Sequence, residues 1–305
     1  MKTYAIFPGL DALFVATQTR RWLVDSHVVA ALDETSAILS ELTGREESLV
    51  AFLRDNQRPH LVDFDRTLVA LTAVQVGIAR AVQEHVAFDG LTGCSHGDAA
   101  RLVIAESVSL RHIVELLWLF AEMRLRCPQG STAFIRAAEG DLTDEQLDWL
   151  GSVPITLSQW SARHATAAGT DEAMAALREP ARALGIKIKP VLPYPVHSPV
   201  MAPAVAEVYS QAHRWQVNPA RLPLFSSVHV RPISSPAEIV EEAAAGAVSA
   251  VRWMETLVAL ANDHGVARFV NIGPSNTLTG WVLDSPSVSH VSMLDAWDVC
   301  RPAAK

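Results

Sequence analysis

The chain has 305 residues, half of them hydrophobic, with 19% charged residues and a formal net charge of −8. That balance rules out a disordered chain and leaves enough apolar material for one large domain and a smaller one. The missing basic surplus argues against broad nucleic-acid binding, though not against a local basic patch; no apolar run reaches the roughly 18 residues of a membrane helix.

"TYAIFPG" (Thr3 to Gly9) reads as a short buried strand ended by the Pro8-Gly9 turn. The early Pro8-Gly9 break also speaks against a signal peptide. Residues 19–56 carry helical apolar spacing, and residues 65–86 form a long helix, apolar on several sides. "FDGLTGCSHG" reads as a strand running into a glycine-flanked turn, followed by the helices "DAARLVIAES" and "SLRHIVELLWLFAEMRLR". After Cys127-Pro128 the texture changes. "STAFIRAAE" is a strand, and "TDEQLDWL" is a helix with Thr143 as N-cap and Gln146 at the capping-box position. "VPITLSQWS" and "RHATAAG" are strands joined by a short turn; "TDEAMAALREPARALG" is a helix interrupted by Pro180, and "IKIKPVLP" is a last strand. The order β-α-β-β-α-β over about residues 130–193 matches a small ferredoxin-like unit. The large-domain texture then returns with a helix from Val200, a strand "LPLFSSV", one long helix over "SPAEIVEEAAAGAVSAVRWMETLVALANDHG" and a strand "RFVNIG". The fold class expected is therefore α/β, with the large domain over residues 1–128 and 194–305 and the small one over 129–193.

Gly93, Ser95 and Gly97 form G-x-S-x-G between a strand and a helix. A sharp turn there projects the serine hydroxyl, and the next N–H, at a helix N-terminus, points where an oxyanion forms. A serine hydroxyl needs a base. Of the 11 histidines, His27, His60, His85 and His264 lie in ordinary helical or loop stretches. His197, in "LPYPVHSPVM", falls where the small unit rejoins the large one, either as a base beside a cleft or as an ordinary loop histidine. Cys94, Cys127 and Cys300 are an odd number without metal-type spacing, which fits a reducing, cytoplasmic setting; no metal site or phosphate-binding loop is apparent.

These residues extend to a family pattern. "IFPG" (Ile6 to Gly9), "AVQVGIARAV", "GCSHGDAARLVIAESVSL", "VHSPVM" and "FVNIGPSNTLTG" follow, in order, motifs of the malonyl-CoA:acyl carrier protein transacylases and polyketide synthase acyltransferase domains, which the chain resembles over about residues 4–283. The resemblance implies an α/β-hydrolase-like domain with a ferredoxin-like insert. It implies Ser95 as nucleophile, His197 as base, and the backbone N–H groups of Leu10 and His96 as oxyanion donors. It also implies a backbone carbonyl holding the histidine, near Gly246. No permanently bound cofactor is implied; the substrates are phosphopantetheine-linked thioesters on coenzyme A or an acyl carrier protein, in a monomeric, cytoplasmic enzyme.

The departures define the pocket. The family's glutamine after F-P-G is Leu10, which still offers its N–H. Cys94 replaces a histidine and is expected beside the acyl pocket with Phe120, Trp160, Tyr194 and Val196, as a small buried filler or a redox thiol; His96 replaces an apolar residue and either contacts the acyl group or shapes the turn. The family's malonyl-binding arginine falls on Phe120, 25 residues after Ser95, with Arg124 one helical turn further. A free carboxylate buried against Phe120 would lack its bidentate partner. Tyr194 and Val196 stand at the specificity stretch, and Trp160 where many members carry an asparagine. The expected reaction is transfer of an acyl group other than malonyl (starter, fatty or aminoacyl) to a carrier protein in polyketide or related biosynthesis. A carrier-protein thioester hydrolase and a non-catalytic binding module are the alternatives. Carrier proteins are acidic, so the docking face is expected among Arg124, Arg126, Arg163, Lys187, Lys189, Arg231 and Arg268.

Overall fold

Five consecutive buried residues, Thr3–Phe7, form strand β1 at the centre of the larger sheet. A strand covered on both faces reads as an unbroken apolar run, as parallel sheets require. β1 pairs in parallel with β2 (Gly90–Gly93) on one side and β9 (Arg268–Asn271) on the other. In the computed structural model, which describes residues 1–13, 16–127 and 129–301, the strand order is β10-β9-β1-β2-β7-β8. Here β7 is Leu224–Phe225, β8 is Pro232–Ile233 and β10 is Ser292–Asp295. Among the described residues of this sheet, only β7 and β8 pair antiparallel.

The small unit is a four-stranded antiparallel sheet of order β4-β5-β3-β6, made of β3 (Gly130–Ala137), β4 (Thr156–Gln159), β5 (His164–Thr170) and β6 (Ile186–Leu192). Its helices cover one face through Ile135, Ala165, Ala167, Leu150 and Met174. The fold is α/β with a ferredoxin-like subdomain. Thr143 and Gln146 close the anticipated capping box. The expected boundary residue Pro128 lies outside the described residues.

Several elements differ from the expectation. The helix broken by Pro180 divides at Leu177, into Asp171–Ala176 and Arg178–Ala183; the proline has no N–H for the carbonyl four residues back, so the discontinuity falls in the preceding turn. The helix foreseen from Val200 starts as a 3-10 turn, Pro199–Met201, before Ala202–Ser210. "LPLFSSV" contributes only the two residues of β7. β10 and the helix Thr277–Leu283 carried too short a pattern to be foreseen.

The long helix foreseen over 235–265 is also broken. Pro236–Val248 ends before Ser249, and the chain turns before Trp253–Val258 begins. Tertiary bonds hold the turn: Val251 N donates to Ser158 Oγ of β4 at 3.0 Å, and Arg252 N to Ser227 O at 2.7 Å.

Candidate active site

The turn after β2 carries Ser95 at φ +58, in the left-handed region that non-glycine residues avoid. The close approach of neighbouring segments explains the flanking glycines. A Cβ on Gly93 would lie 2.2 Å from Asp98 Oδ1, and one on Gly97 would lie 2.1 Å from the Phe7 carbonyl oxygen. The helix Gly97–Ile104 starts immediately after, at the carboxyl end of the parallel strands, where α/β folds place ligands.

His197 also has a positive φ, +61. Its loop is fastened to the small sheet by Thr132 of β3. The Thr132 hydroxyl donates to Tyr194 O at 2.8 Å and accepts from Val196 N at 3.2 Å. Across 102 positions of sequence, Ser95 Oγ and His197 Nε2 come within 2.6 Å. The Nδ1 of His197 lies 2.5 Å from Gly246 O. A carbonyl only accepts, so Nδ1 carries the proton and Nε2 presents its lone pair to the Ser95 hydroxyl. Burial brings the imidazole pKa down to about 4, against the opposing effect of the Gly246 bond. The ring is therefore neutral at pH 7, the state a base needs.

Leu10 opens a 3-10 turn, Leu10–Leu13, beyond β1. The buried Gln75 holds the approach to that turn by donating to Pro8 O at 2.6 Å. His96 N–H lies at the entry to the helix Gly97–Ile104. The His96 ring is anchored to the helix Phe64–Gln83: its Nε2 lies 2.8 Å from Leu68 O and 3.0 Å from Thr72 Oγ1. Burial brings its pKa to about 4 as well.

Ser95, His197, Leu10, His96, Phe120, Tyr194 and Val196 line one cavity of about 190 Å³. Trp160 and Cys94 do not line it. Trp160 is buried in a separate apolar cluster with Cys94, Tyr4 and Ile6, and stacks on Trp281 with ring centroids 6.0 Å apart. The expectation that Trp160 and Cys94 border the acyl pocket therefore differs from their placement, because both pack into this apolar cluster instead. Arg124 is not at the cavity either. Its guanidinium pairs with Asp65 and lies over the rings of Phe64 and Tyr194, 5.0 and 5.1 Å from their centroids.

One feature of the cavity wall was not read from the sequence. Arg101, fully buried, pairs with Asp98 at 2.7 Å and with Glu242 at 3.0 Å, and donates to Phe225 O at 2.6 Å. Glu242 accepts in turn from Ser226 Oγ at 2.5 Å. Burial pushes the Asp98 carboxyl upward, with Arg101 opposing and Glu242 adding to the rise. The available signal was an isolated arginine inside the apolar run "AARLVI". The pair links the helix that follows Ser95 to the helix that holds His197 through Gly246.

The expected docking cations separate into two sets. Arg163 pairs with Asp141 and Arg231 with Glu238, as Arg124 does with Asp65. Arg126 is exposed and Arg268 half-buried on β9. Lys187 and Lys189 stand on one face of β6 and, with Arg136 opposite Lys187 on β3, border one shallow depression. Among the described residues none of these three has a carboxylate within ion-pair distance. Also among the described residues, no group of three or more His, Cys, Asp or Glu is placed to hold a metal, and no helix is long and apolar enough to cross a membrane.

A serine at positive φ on a strand-to-helix turn, bonded to a buried neutral histidine, on an α/β fold with a ferredoxin-like subdomain, is the arrangement of the acyl-transfer folds. The chain belongs to the acyl transferase domain family, whose model matches residues 26–292. Its fold is that of the malonyl CoA-acyl carrier protein transacylase of Coxiella burnetii, at a TM-score of 0.84 and 19% identity, covering 98% of this chain and 96% of that one. The acyl-carrier-protein S-malonyltransferase of Burkholderia pseudomallei is similar at 0.82 and 21%, covering 97% and 96%. A malonyl-transacylase solved in complex with a type II polyketide synthase acyl carrier protein is similar at 0.80 and 22%, again covering 97% and 96%. No curated protein matches the sequence.

Proposed function

We propose that this chain is a serine-dependent acyltransferase that passes an acyl group other than malonyl to a phosphopantetheine thiol of an acyl carrier protein, in polyketide or related biosynthesis. The reading rests on the chain of bonds from Ser95 through His197 to Gly246, opening on a cavity with Phe120 in its wall. Ser95 Oγ attacks the thioester carbonyl while His197 Nε2 takes its proton. Gly246 O and the C-terminal end of its helix favour the imidazolium that forms. The N–H groups of Leu10 and His96 receive the oxyanion. Collapse expels the donor thiol, which recovers the proton from His197. The carrier-protein thiol then attacks the ester in the reverse sequence, in a ping-pong cycle.

The case against malonyl is electrostatic. Arg101 is the arginine of the cavity wall, and Asp98, Glu242 and the Phe225 carbonyl already occupy it. A substrate carboxylate would meet a wall holding two carboxyls to one guanidinium, beside an apolar phenyl ring. The carrier protein docks, in this reading, on Arg136, Lys187 and Lys189 of the small sheet, which belongs to a small domain of residues 129–193 set in a large one of residues 1–128 and 194–305.

Intact-protein mass spectrometry with malonyl, neutral acyl and aminoacyl thioesters tests the reading, with Ser95→Ala as control. The expected result is a neutral-acyl or aminoacyl adduct, absent from Ser95→Ala, that moves to a carrier protein. Decay of the adduct to free acid assigns hydrolysis instead, and a stable malonyl adduct sinks the argument from Phe120.

A further inference from the structure

We infer that the acyl pocket continues past Phe120 into a second apolar chamber, and that the preferred acyl group is a neutral one with an extended apolar tail. The inference rests on the acyltransferase reading above and names its substrate class. The cavity at Ser95 abuts a second one of about 100 Å³. The two share Leu102, Ile113, Leu116, Phe120, Ala243 and Ala247 in their walls. The second is enclosed by Val205 and Val208 of the helix Ala202–Ser210, Trp215, Val217 and Ile239. None of its lining residues carries a charge.

The space has a simple origin. The helix Pro236–Val248 presents Ala243, Ala244 and Ala247 to it, where larger side chains would fill the gap to the helix Leu110–Arg124. Phe120 stands at the junction of the chambers, so the position that leaves a carboxylate unpaired also walls the way inward with hydrocarbon. A short dicarboxylate half-ester would gain nothing from the inner chamber. The amide-rich pantetheine arm would lose its hydration there without partners. Each methylene of an alkyl tail, in contrast, gains transfer free energy from burial.

The test measures kcat/KM for Ser95 acylation with acetyl, butyryl, hexanoyl, octanoyl and decanoyl coenzyme A by intact mass. The expected profile climbs by up to about fourfold per added methylene until the inner chamber is filled. In Ala244→Phe and in Val205→Phe, which narrow that chamber from opposite helices, the octanoyl-to-acetyl ratio falls at least tenfold. A flat length profile in the wild type, or an unchanged ratio in correctly folded variants, overturns the inference while leaving acyl transfer standing. No adduct with any thioester overturns the acyltransferase reading and the inference together. The wild-type profile alone decides if both variants misfold.

Discussion

The Gly246 carbonyl bonds to His197 because its helix stops two residues later. In an unbroken helix that oxygen would accept from Ala250 N. Here the last helical residue is Val248, and Ser249 N closes on Ala245 O, so the Gly246 oxygen is one of the orphan carbonyls of a helix end. The imidazole takes the place of the missing turn, at 2.5 Å.

The buried pKa of about 4 for His197 fixes the pH response. Acylation by a neutral thioester rises with pH through about 4 and is level from pH 6 to 8, because the free base is already present. A pH–rate profile with its inflection near 6.5 would contradict the buried, neutral imidazole. Stability follows the same sign. The unfolded histidines bind protons near pH 6.5, whereas folded His197 and His96 do so near 4. Between those values the unfolded state holds more protons, so stability falls as pH drops from about 6.5 to about 4. His96→Gln is expected to flatten that slope in a melting series across the same range.

Phe120→Arg places a guanidinium in the cavity wall without disturbing the Arg124–Asp65 pair. The malonyl-to-acetyl ratio of kcat/KM is expected to rise by at least tenfold, the scale of one charge-assisted bidentate contact. An unchanged ratio would show that Asp98 and Glu242 still dominate the field in the pocket.

Gly97→Ala brings a methyl group to 2.1 Å from Phe7 O and 2.7 Å from Pro8 O, both backbone atoms that cannot swing away. The expected cost is on the order of 1–3 kcal/mol of stability, read as a lower urea midpoint. Acylation is lost with it, since the elbow and the Leu10 turn shift together. A variant with wild-type midpoint and rate would refute the close approach.

Removing Arg101 leaves the buried Glu242 without its guanidinium, whereas removing Glu242 leaves Arg101 paired with Asp98. Arg101→Met alone is expected to cost about 3–5 kcal/mol, and Glu242→Leu alone less, because Asp98 still pairs with Arg101. The double variant is expected to cost clearly less than the sum, because Glu242 is then no longer left facing an empty partner position. Additive losses in denaturant unfolding would show that the two do not act as a pair.

Reversing Lys187 and Lys189 to glutamate is expected to raise KM for the carrier protein at least tenfold, more steeply at low salt, with little change in acylation from coenzyme A thioesters. An equal loss with both donors would place the defect elsewhere.

Much of this was legible along the chain, for reasons that are local. The apolar run of β1, the strand-turn-helix around Ser95 and the Thr143–Gln146 capping box depend on residues within a few positions of one another. Period, propensity and turn chemistry therefore marked them. Ser95 and His197 were nameable because each sits in a short motif, but their 2.6 Å contact is a property of the folded chain. What sequence misread was set by distant partners. Trp160 looks like a pocket residue until Trp281 stacks on it. Arg124 looks available until Asp65 claims it. The helix over 235–265 looks continuous until Ser158 and Ser227, from separate segments, take the amides of Val251 and Arg252. Amino-acid order determined where the Ser95 turn and the His197 loop could form. Tertiary structure alone decided that the Gly246 carbonyl comes within 2.5 Å of His197 Nδ1 and which arginine would be spent on carboxylates. Those outcomes depend on burial and on competition for hydrogen-bond partners, which exist only once the segments are packed together.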